Sequence, residues 1–524
     1  MTQSIDAKTL KLWLHDGAEL ALLDVREDGQ FGEGHLFFAA SVPYSRLELN
    51  VGRLIPRLHT RIVVHDDGDD SLASRAIGRL AVLGYSNLHL FAGGTRAWAA
   101  AGFQLYKGVN LPSKTFGELV EHAYETPRVS VTELDAMLKR GDDVVVLDGR
   151  PWDEYTKMSI PRAICCPNGE LPYRVDKIVT NPKTKIVVNC AGRTRSILGA
   201  QTLRNFGVPN PVYALENGTQ GWVLAGLELD RGASRKYPDV NPGPELPALQ
   251  AKARALAERH GVKFVDAATI ATWLQDESRN VFLCDVRTPE EYATGSIGGA
   301  QHTPAGQFIQ ATDQHVGVRN ARIVLFDAEL VRAPVCASWL EQMGHDVYVL
   351  NEGKTAALKI PNGLQPRLPV LPAIAPAALL EFMSKGAVLD LRSSAVYRKE
   401  HVQGAAWAIR PRLDLVAGAG IPVALIADDV ALAQLAAIDL LELGVTDIRV
   451  VSAGLAACKA AGLPVVSTPD LPADSERIDF LFFVHDRHAG NKAAMRGYLA
   501  WETGLLKQLD DQERSSFRLP SAAH

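Results

Sequence analysis

The feature that most constrains the fold is a motif that occurs four times: a short apolar run ending in an aspartate, with an arginine two residues later. The runs are LALLDVR, VVVLDGR, VFLCDVR and AVLDLR, and their aspartates are Asp24, Asp148, Asp285 and Asp390. Short continuous apolar runs of this kind are typical of buried strands in a parallel sheet. We therefore expect four buried strands, each leaving its sheet at the aspartate.

The intervals that follow each motif are nearly constant. A second apolar run, a helical pattern, a third apolar run and a glycine turn come after every motif. From the motif aspartate to the end of the second run, the distance is 42 residues in the first three units and 38 in the fourth. From there to the turn glycine it is 28, 28, 26 and 26 residues. Such a register indicates tandem copies of one unit. Alternating strands and helices predict an α/β fold, with a parallel sheet covered by helices on both faces in each copy.

Composition locates the boundaries between the units. Segments rich in proline and glycine, residues 230–247 and 361–376, are typical of linkers. A chain of 524 residues is also too long for a single core. We expect the apolar positions at helical spacing in the C-terminal tail to pack across the units. The predicted regions are four modules and a partly helical tail: 1–110, 111–235, 236–365, 366–467 and 468–524.

The second unit carries the most reactive pattern, VVNCAGRTRS, in which Cys190 follows a strand and precedes a helix. Backbone N–H groups at the start of a helix favour an anion. This position and the neighbouring Arg193 and Arg195 favour the thiolate form of the cysteine. Gly192 lets the loop wind tightly because it has no Cβ, and Ser196 can cap the helix. The pattern predicts a nucleophilic cysteine rather than an inert core residue.

At this point the sequence resembles a known family. The segment DVRTPEEYATGSIGGAQHTP, residues 285–304, resembles the N-terminal signature of rhodanese-type sulfurtransferases, and VVNCAGRTRS resembles their active-site loop. The resemblance extends to about residue 467 and is strongest in the second and third units. It implies a bacterial protein of four tandem rhodanese-like domains. Each domain would be a doubly wound module with its reactive position at the carboxyl end of a strand.

The resemblance also implies a reaction. Cys190 would attack the sulfane sulfur of thiosulfate or a persulfide, hold it as a persulfide, and pass it to cyanide or a cellular thiol. Relatives specific for mercaptopyruvate have small uncharged residues in place of the loop arginines, so we expect an inorganic or dianionic donor here. The catalytic residue is Cys190, and the residues expected to bind the donor are Ala191, Gly192, Arg193, Thr194, Arg195 and Ser196.

Two other functions remain open. A binding or relay protein would use the same cysteine to receive a persulfide from a protein partner, with the other modules docking that partner. A cysteine phosphatase or arsenate reductase needs an arginine six places after the nucleophile. Here the sixth place is Ser196 and the arginine comes fifth, at Arg195, so this function is disfavoured.

The equivalent positions in the other units are Asp66, Asp327 and Asp428. A carboxylate cannot carry a persulfide, so we expect these three modules to be inactive and to serve as scaffold or subunit contacts. The acidic loop that follows Asp66 could hold a cation, although helix capping by aspartate is commoner. In the third unit, Arg332 could fill the anion cradle with its own side chain.

The remaining composition excludes several classes of function. The net charge is -5 and basic residues are scattered, so we expect no nucleic-acid or membrane partner. No leader or spanning segment is apparent, which predicts a cytoplasmic protein. Six cysteines, of which only Cys165 and Cys166 are adjacent, form no disulfide framework or zinc motif. Those two could act as resolving thiols, but packing at a strand start is the favoured interpretation. We expect no cofactor and no metal, and three inactive modules make a homodimer reasonable.

Overall fold

The computed structural model describes residues 3–239, 243–361, 363–416 and 420–520. The first two residues of the first predicted module, the last four residues of the predicted tail and short parts of both predicted linkers lie outside this range. Within it, four five-stranded parallel sheets follow one another along the chain. The predicted fold class is confirmed: each sheet belongs to an α/β module, and a partly helical C-terminal tail follows the fourth.

The first two modules have the same topology. Their strand orders are β1-β5-β4-β2-β3 and β6-β10-β9-β7-β8. The strands of the first module are β1 (Gln3–Ile5), β2 (Ala21–Asp24), β3 (Ala40–Ser41), β4 (Ile62–His65) and β5 (Leu88–Phe91). Its helices are α1 (Ala7–Trp13), α2 (Asp28–Glu33), α3 (Leu47–Leu54), α4 (Ser71–Val82) and α5 (Gly94–Ala100). The strands of the second module are β6 (Arg128–Val129), β7 (Val144–Asp148), β8 (Ile164–Cys165), β9 (Lys185–Asn189) and β10 (Val212–Leu215). Its helices are α6 (Leu111–Tyr124), α7 (Val131–Arg140), α8 (Trp152–Lys157), α9 (Leu171–Ile178), α10 (Thr194–Asn205) and α11 (Gly218–Leu224).

The third module repeats this topology with strand order β11-β15-β14-β12-β13. Its strands are β11 (Lys263–Val265), β12 (Val281–Asp285), β13 (Gln301–His302), β14 (Arg322–Phe326) and β15 (Asp346–Leu350). Its helices are α12 (Leu246–Arg259), α13 (Ala267–Trp273), α14 (Pro289–Ala293), α15 (Ala305–Gln310) and α16 (Arg332–Gln342).

The fourth module adds a small antiparallel pair, β18 with β22, to a sheet of order β16-β21-β20-β17-β19. Its strands are β16 (Ala373–Ile374), β17 (Ala387–Asp390), β18 (His401–Val402), β19 (Ala406–Trp407), β20 (Val423–Ile426), β21 (Ile448–Val451) and β22 (Val465–Val466). Its helices are α17 (Leu379–Met383), α18 (Ser394–Lys399), α19 (Val430–Glu442) and α20 (Gly454–Ala460). The tail contributes α21 (Phe482–His485), α22 (Lys492–Gly504) and α23 (Asp511–Ser515).

The repeated aspartate and arginine form the same clamp in all four modules. In the second module, Arg150 Nε lies 2.8 Å from Asp148 Oδ1, and its NH2 lies 2.7 Å from Asp148 Oδ2. The same NH2 also donates to the Met158 carbonyl at 2.6 Å, which ties the strand end to the end of α8. Equivalent bonds join the pairs in the other three modules. A contact kept in every module serves the fold rather than one site.

The second and third modules pack with their equivalent surfaces together. Gly169 and Gly306 both stand 21 residues after their motif aspartates, and they meet at the interface. A Cβ on Gly169 would lie only 2.6 Å from Ala305 Cβ and 2.8 Å from Gly306 N. Next to this contact, Arg332 NH1 reaches Glu170 Oε1 at 3.1 Å, and the equivalent Arg195 NH1 lies 3.5 Å from Gln307. The interface therefore has approximate two-fold symmetry.

The first and fourth modules meet through a charged cluster. Arg410 pairs with both carboxylate oxygens of Glu48 at 2.6 and 2.9 Å and with Asp439 at 3.1 Å. Its guanidinium also lies over the Tyr44 ring, 4.5 Å from the centroid. By contrast, one continuous apolar cluster joins the first three modules. Among the described residues, no helix combines the length and apolar character that crossing a membrane requires.

Candidate active site

The loop between β9 and α10 holds Cys190 at the carboxyl edge of the second sheet. The cysteine follows the last residue of β9 and is 2 % exposed. Helix α10 begins at Thr194 and has no side-chain cap, so Ser196 is not the helix cap that the sequence suggested. Its hydroxyl instead points to the cysteine, with Ser196 Oγ 3.1 Å from Cys190 Sγ. The structure thus brings a hydroxyl donor to the sulfur.

The equivalent loops of the first and third modules show what this turn binds. Asp66, in place of the cysteine, accepts hydrogen bonds from the backbone N–H groups of Gly68 at 2.8 Å and Ala73 at 3.0 Å. Asp327 accepts from the N–H groups of Val331 at 3.1 Å and Arg332 at 2.9 Å. The cradle in the third module is therefore filled by Asp327, not by the Arg332 side chain. In both modules a carboxylate oxygen occupies a nest of amides that suits an anion.

The acidic loop of the first module also has a structural explanation. Asp66, Asp67 and Asp69 lie close enough together to hold a cation. The Asp66 carboxylate, however, is engaged by backbone amides, and Asp69 accepts from Ser71 N at 2.9 Å. These contacts are those of turn and helix capping.

Arg193 forms ion pairs with two carboxylates of helix α6. Its Nε and NH2 lie 2.7 and 2.9 Å from the two carboxylate oxygens of Glu118 on α6. The same guanidinium pairs with Glu121. Burial lowers the pKa of Arg193, but the hydrogen bonds and charges of these carboxylates outweigh it, so the net pKa is raised. Arg193 therefore keeps its positive charge, and the negative charges of Glu118 and Glu121 balance it.

Arg195 is also paired with a carboxylate. Both guanidinium nitrogens NH1 and NH2 lie 2.8 Å from the carboxylate oxygens of Glu154 on α8. Burial lowers the pKa of Arg195, but Glu154 more than offsets this and the net pKa is raised. A negative charge on Cys190 would act in the same direction. Because both loop arginines are paired with carboxylates, the loop attracts a dianionic donor less strongly than its sequence suggests.

The tail reaches the loop at Gly192 and Thr194. Thr194 Oγ1 donates to Glu502 Oε1, on α22, at 2.9 Å. A Cβ on Gly192 would lie 3.1 Å from Glu502 Oε2 and 3.3 Å from Gln220 Nε2. The backbone of Gly192 is not in the left-handed region, so the close approach of these side chains, rather than the winding of the loop, explains the glycine. Ala191 completes the loop, and its carbonyl accepts from Gln220 Nε2 at 3.0 Å.

Sequence reasoning did not identify Glu118, Glu154 or Glu502 as neighbours of the site. One signal was available for Glu154: it and Glu291 both stand six residues after their motif aspartates, and both pair with the equivalent arginines, Arg195 and Arg332. No local pattern marks Glu118 or Glu502, because they reach the loop only through packing of α6 and the tail.

The other five cysteines are buried like Cys190, and burial disfavours their thiolate forms. Burial raises the pKa of the Cys165 thiol to about 12, and it raises that of Cys166 well above the ordinary value. Cys165 ends β8 and contacts the Arg150 carbonyl at 3.6 Å, and no contact recorded for the described residues joins either sulfur to Cys190. Burial likewise raises the thiol pKa values of Cys284, Cys336 and Cys458. Cys190 stands at the carboxyl end of β9, next to the Ser196 hydroxyl and in a loop that carries two arginines.

The chain is similar to known proteins along most of its length. The model of the rhodanese-like domain matches residues 6–101, 130–225 and 267–359. The crystal structure of a thiosulfate sulfurtransferase from Pseudomonas aeruginosa is 40% identical, with a TM-score of 0.90, and the match covers 99% of this chain and 100% of that one.

Smaller proteins match single modules. A protein from Bacillus halodurans is 20% identical over 24% of this chain and 91% of its own, with a TM-score of 0.19. A protein of unknown function from Rhodopseudomonas palustris, described as a possible tyrosine phosphatase, is 28% identical over 22% of this chain and 93% of its own, with a TM-score of 0.20. Likenesses at such scores carry no argument about function. Comparison with curated proteins gives no significant match.

Proposed function

Because this chain belongs to the rhodanese-like family of sulfurtransferases, we propose that it moves sulfane sulfur from thiosulfate or a related donor to a thiophilic acceptor through a persulfide on Cys190. One observation carries the proposal. The second module places a thiol where the first and third modules place a carboxylate held by backbone amides. A cradle that binds a carboxylate in those modules suits a thiolate or persulfide anion in this one.

The proposed reaction has two steps. The Cys190 thiolate attacks the outer sulfur of thiosulfate, a new S–S bond forms, and sulfite leaves with the electron pair of the bond that breaks. Cyanide or a thiolate then attacks the terminal sulfur of the persulfide. The Cys190 thiolate leaves with the bonding pair, and thiocyanate or a new persulfide is released. No external oxidant or reductant is needed.

The residues of the loop would have separate roles in this reaction. The backbone N–H groups of Gly192, Thr194 and the first turn of α10, with the Ser196 hydroxyl, would stabilise the thiolate and the persulfide anion. Arg195 would orient the anionic donor from its position beside Glu154, and Arg193 would do so only if its pairs with Glu118 and Glu121 open.

A second function, the persulfide relay, has one observation in its favour. Both loop arginines are paired with carboxylates, so neither offers a free cation that attracts a dissolved dianion to Cys190. A persulfide delivered by a protein partner would not need one. The inactivity of the other three modules, the boundaries after residues 110, 235, 365 and 467, and the homodimer all stay predictions.

Steady-state turnover tests the proposal. Sulfite and thiocyanate release from thiosulfate and cyanide should be lost in Cys190→Ser and retained in Cys165→Ser. Slow turnover of thiosulfate, together with rapid exchange of sulfur from a persulfidated protein, would favour the relay. Full activity in Cys190→Ser would overturn both functions.

A further inference from the structure

The C-terminal helix α22 lies against the Cys190 loop, although about 300 residues of chain separate the two in sequence. It packs against both α6 and α11 of the second module. Around its contact with the loop, the Lys114 ammonium of α6 bonds to the Tyr498 hydroxyl, and Arg487 lies over the Tyr498 ring at 3.6 Å from the centroid. These contacts fix α22 against the second module.

Glu502 is the group through which the helix touches the loop. The residue is 1 % exposed. Its Oε1 accepts from the Thr194 hydroxyl at 2.9 Å and faces Lys114 Nζ at 3.4 Å. Its Oε2 is buried with no hydrogen-bond partner among the described residues, and it lies beside Gly192. A buried carboxylate oxygen without a donor is costly, and this one lies beside the loop that carries Cys190.

At the same edge of the sheet in the fourth module, no described tail residue lines the cleft. Arg392, Asp428 and Gly454, equivalent to Arg150, Cys190 and Gly218, line an open cleft of about 660 Å³. Cys190 itself is 2 % exposed. In the second module, Glu502 and Tyr498 of α22 lie against Gly192 and Thr194, so α22 forms part of the wall around the Cys190 loop.

We propose that Glu502 is a positioning residue of the Cys190 site, and that α22 closes the site so that the persulfide is shielded from bulky thiols. Glu502 holds Thr194, and through it the start of α10, in the closed arrangement. Small donors reach the sulfur through transient opening of the contact between α22 and the Cys190 loop, whereas a large acceptor must displace the helix. The identity of the shielded group as a persulfide rests on the proposed function. The closure itself does not.

Alkylation of the resting protein tests the closure independently of catalysis. The probes are iodoacetamide, which is small, and a bulky maleimide, and peptide mapping follows the modification of Cys190 in the intact, full-length chain. Wild-type Cys190 should react with the maleimide far more slowly than a free cysteine peptide does. Thr194→Val, which removes only the hydroxyl donor, should speed that reaction about tenfold.

Two further variants separate positioning from loss of folding. Glu502→Gln keeps an oxygen that can accept from Thr194, so it should protect Cys190 better than Glu502→Ala does. Thr503→Val is the matched control, because the neighbouring hydroxyl bonds only to the carbonyls of Leu499 and Ala500 in its own helix, and it should leave the rate unchanged. Maleimide reaction in the wild type as fast as in the free peptide, or equal rates in all variants, would overturn the closure.

The lifetime of the persulfide provides a second readout. After loading with thiosulfate, the wild-type adduct should survive challenge by a large thiol about tenfold longer than the adduct of Thr194→Val. Equal lifetimes would contradict the role assigned to Glu502. Failure of the wild type to form any adduct would instead refute the proposed function, while the alkylation rates would still decide the closure.

Discussion

The guanidinium of Arg195 and the carboxylate of Glu154 face each other with two N–O distances of 2.8 Å. This pairing removes most of the charge that the loop would otherwise present to an anionic donor. Glu154→Gln should therefore expose the cation and lower the KM for thiosulfate by roughly tenfold, which corresponds to about 1.4 kcal/mol. Steady-state kinetics at constant ionic strength measures the change.

The matched control for this variant lies in the third module. Glu291 occupies the position equivalent to Glu154 and pairs with Arg332 at 2.5 Å. Glu291→Gln should leave the KM unchanged, because this module has Asp327 at the position equivalent to Cys190. A KM that stays constant in Glu154→Gln, or falls equally in both variants, would show that Arg195 does not contact the donor.

Ser196 supports the sulfur anion through its hydroxyl, 3.1 Å from Cys190 Sγ. A hydrogen bond to a charged group contributes about 1.5–3 kcal/mol, so Ser196→Ala should slow persulfide formation by roughly tenfold or more. Rapid mixing with thiosulfate, followed by mass spectrometry, gives the rate. Ser338→Ala, a buried helical serine of the third module whose hydroxyl bonds to the Val335 carbonyl, should have no effect. An unchanged rate in Ser196→Ala would remove the hydroxyl from the mechanism.

Much of the fold follows from the sequence because its signals are local. The four apolar runs ending in aspartate mark β2, β7, β12 and β17, and the regular spacing of the units predicts four parallel sheets. The arrangement of the modules does not follow in this way. Gly169 and Gly306 occupy equivalent positions of the repeat, but the repeat does not indicate which surfaces of two modules meet, so their contact can be recognised only once both modules are built.

The same holds for the site: residues within the loop can be predicted from the sequence, whereas their contacts with distant helices cannot. The loop around Cys190 could be picked out because a cysteine, a glycine and two arginines lie within a few residues of one another. The pairing of Arg193 with Glu118 and of Thr194 with Glu502 could not, because each partner arrives from a distant helix. Ser196 fits helix capping equally well in the sequence, and only the start of α10 at Thr194 assigns its hydroxyl to the sulfur.

The close approach of the second and third modules predicts a steric effect. In Gly169→Ala the new methyl group would meet Ala305 Cβ at 2.6 Å and a backbone nitrogen at 2.8 Å, so the interface must shift. Overpacking of this kind costs about 1–3 kcal/mol, and the thermal unfolding midpoint should fall. Gly78→Ala, within α4 and with open space around its Cβ, should be neutral or raise the midpoint. A midpoint unchanged in Gly169→Ala would contradict the tight interface.

A buried carboxyl in the first module predicts a pH dependence of stability. Glu27 is 1 % exposed, and burial raises its pKa from 4.5 to about 7, partly offset by hydrogen bonds from Ser45. The folded state therefore binds the proton more tightly than the unfolded state does. The resulting stabilisation is complete below the unfolded pKa and is lost as the pH rises through the folded pKa.

Glu27→Gln imitates the protonated carboxyl at every pH. The variant should match the wild type near about pH 5 and exceed it near about pH 8, by up to the order of 3 kcal/mol. Unfolding midpoints of both proteins across this range measure the difference. Parallel curves for the two proteins would show that Glu27 does not titrate with a raised pKa.

The most direct test of the account is the site of sulfur attachment. The intact protein is incubated with thiosulfate and no acceptor, and its mass and the masses of its peptides are then determined. We predict a gain of one sulfur atom, located on the peptide that carries Cys190, absent from Cys190→Ser and removed by cyanide. Sulfur found on any of the other five cysteines, or a gain that persists in Cys190→Ser, would contradict the account.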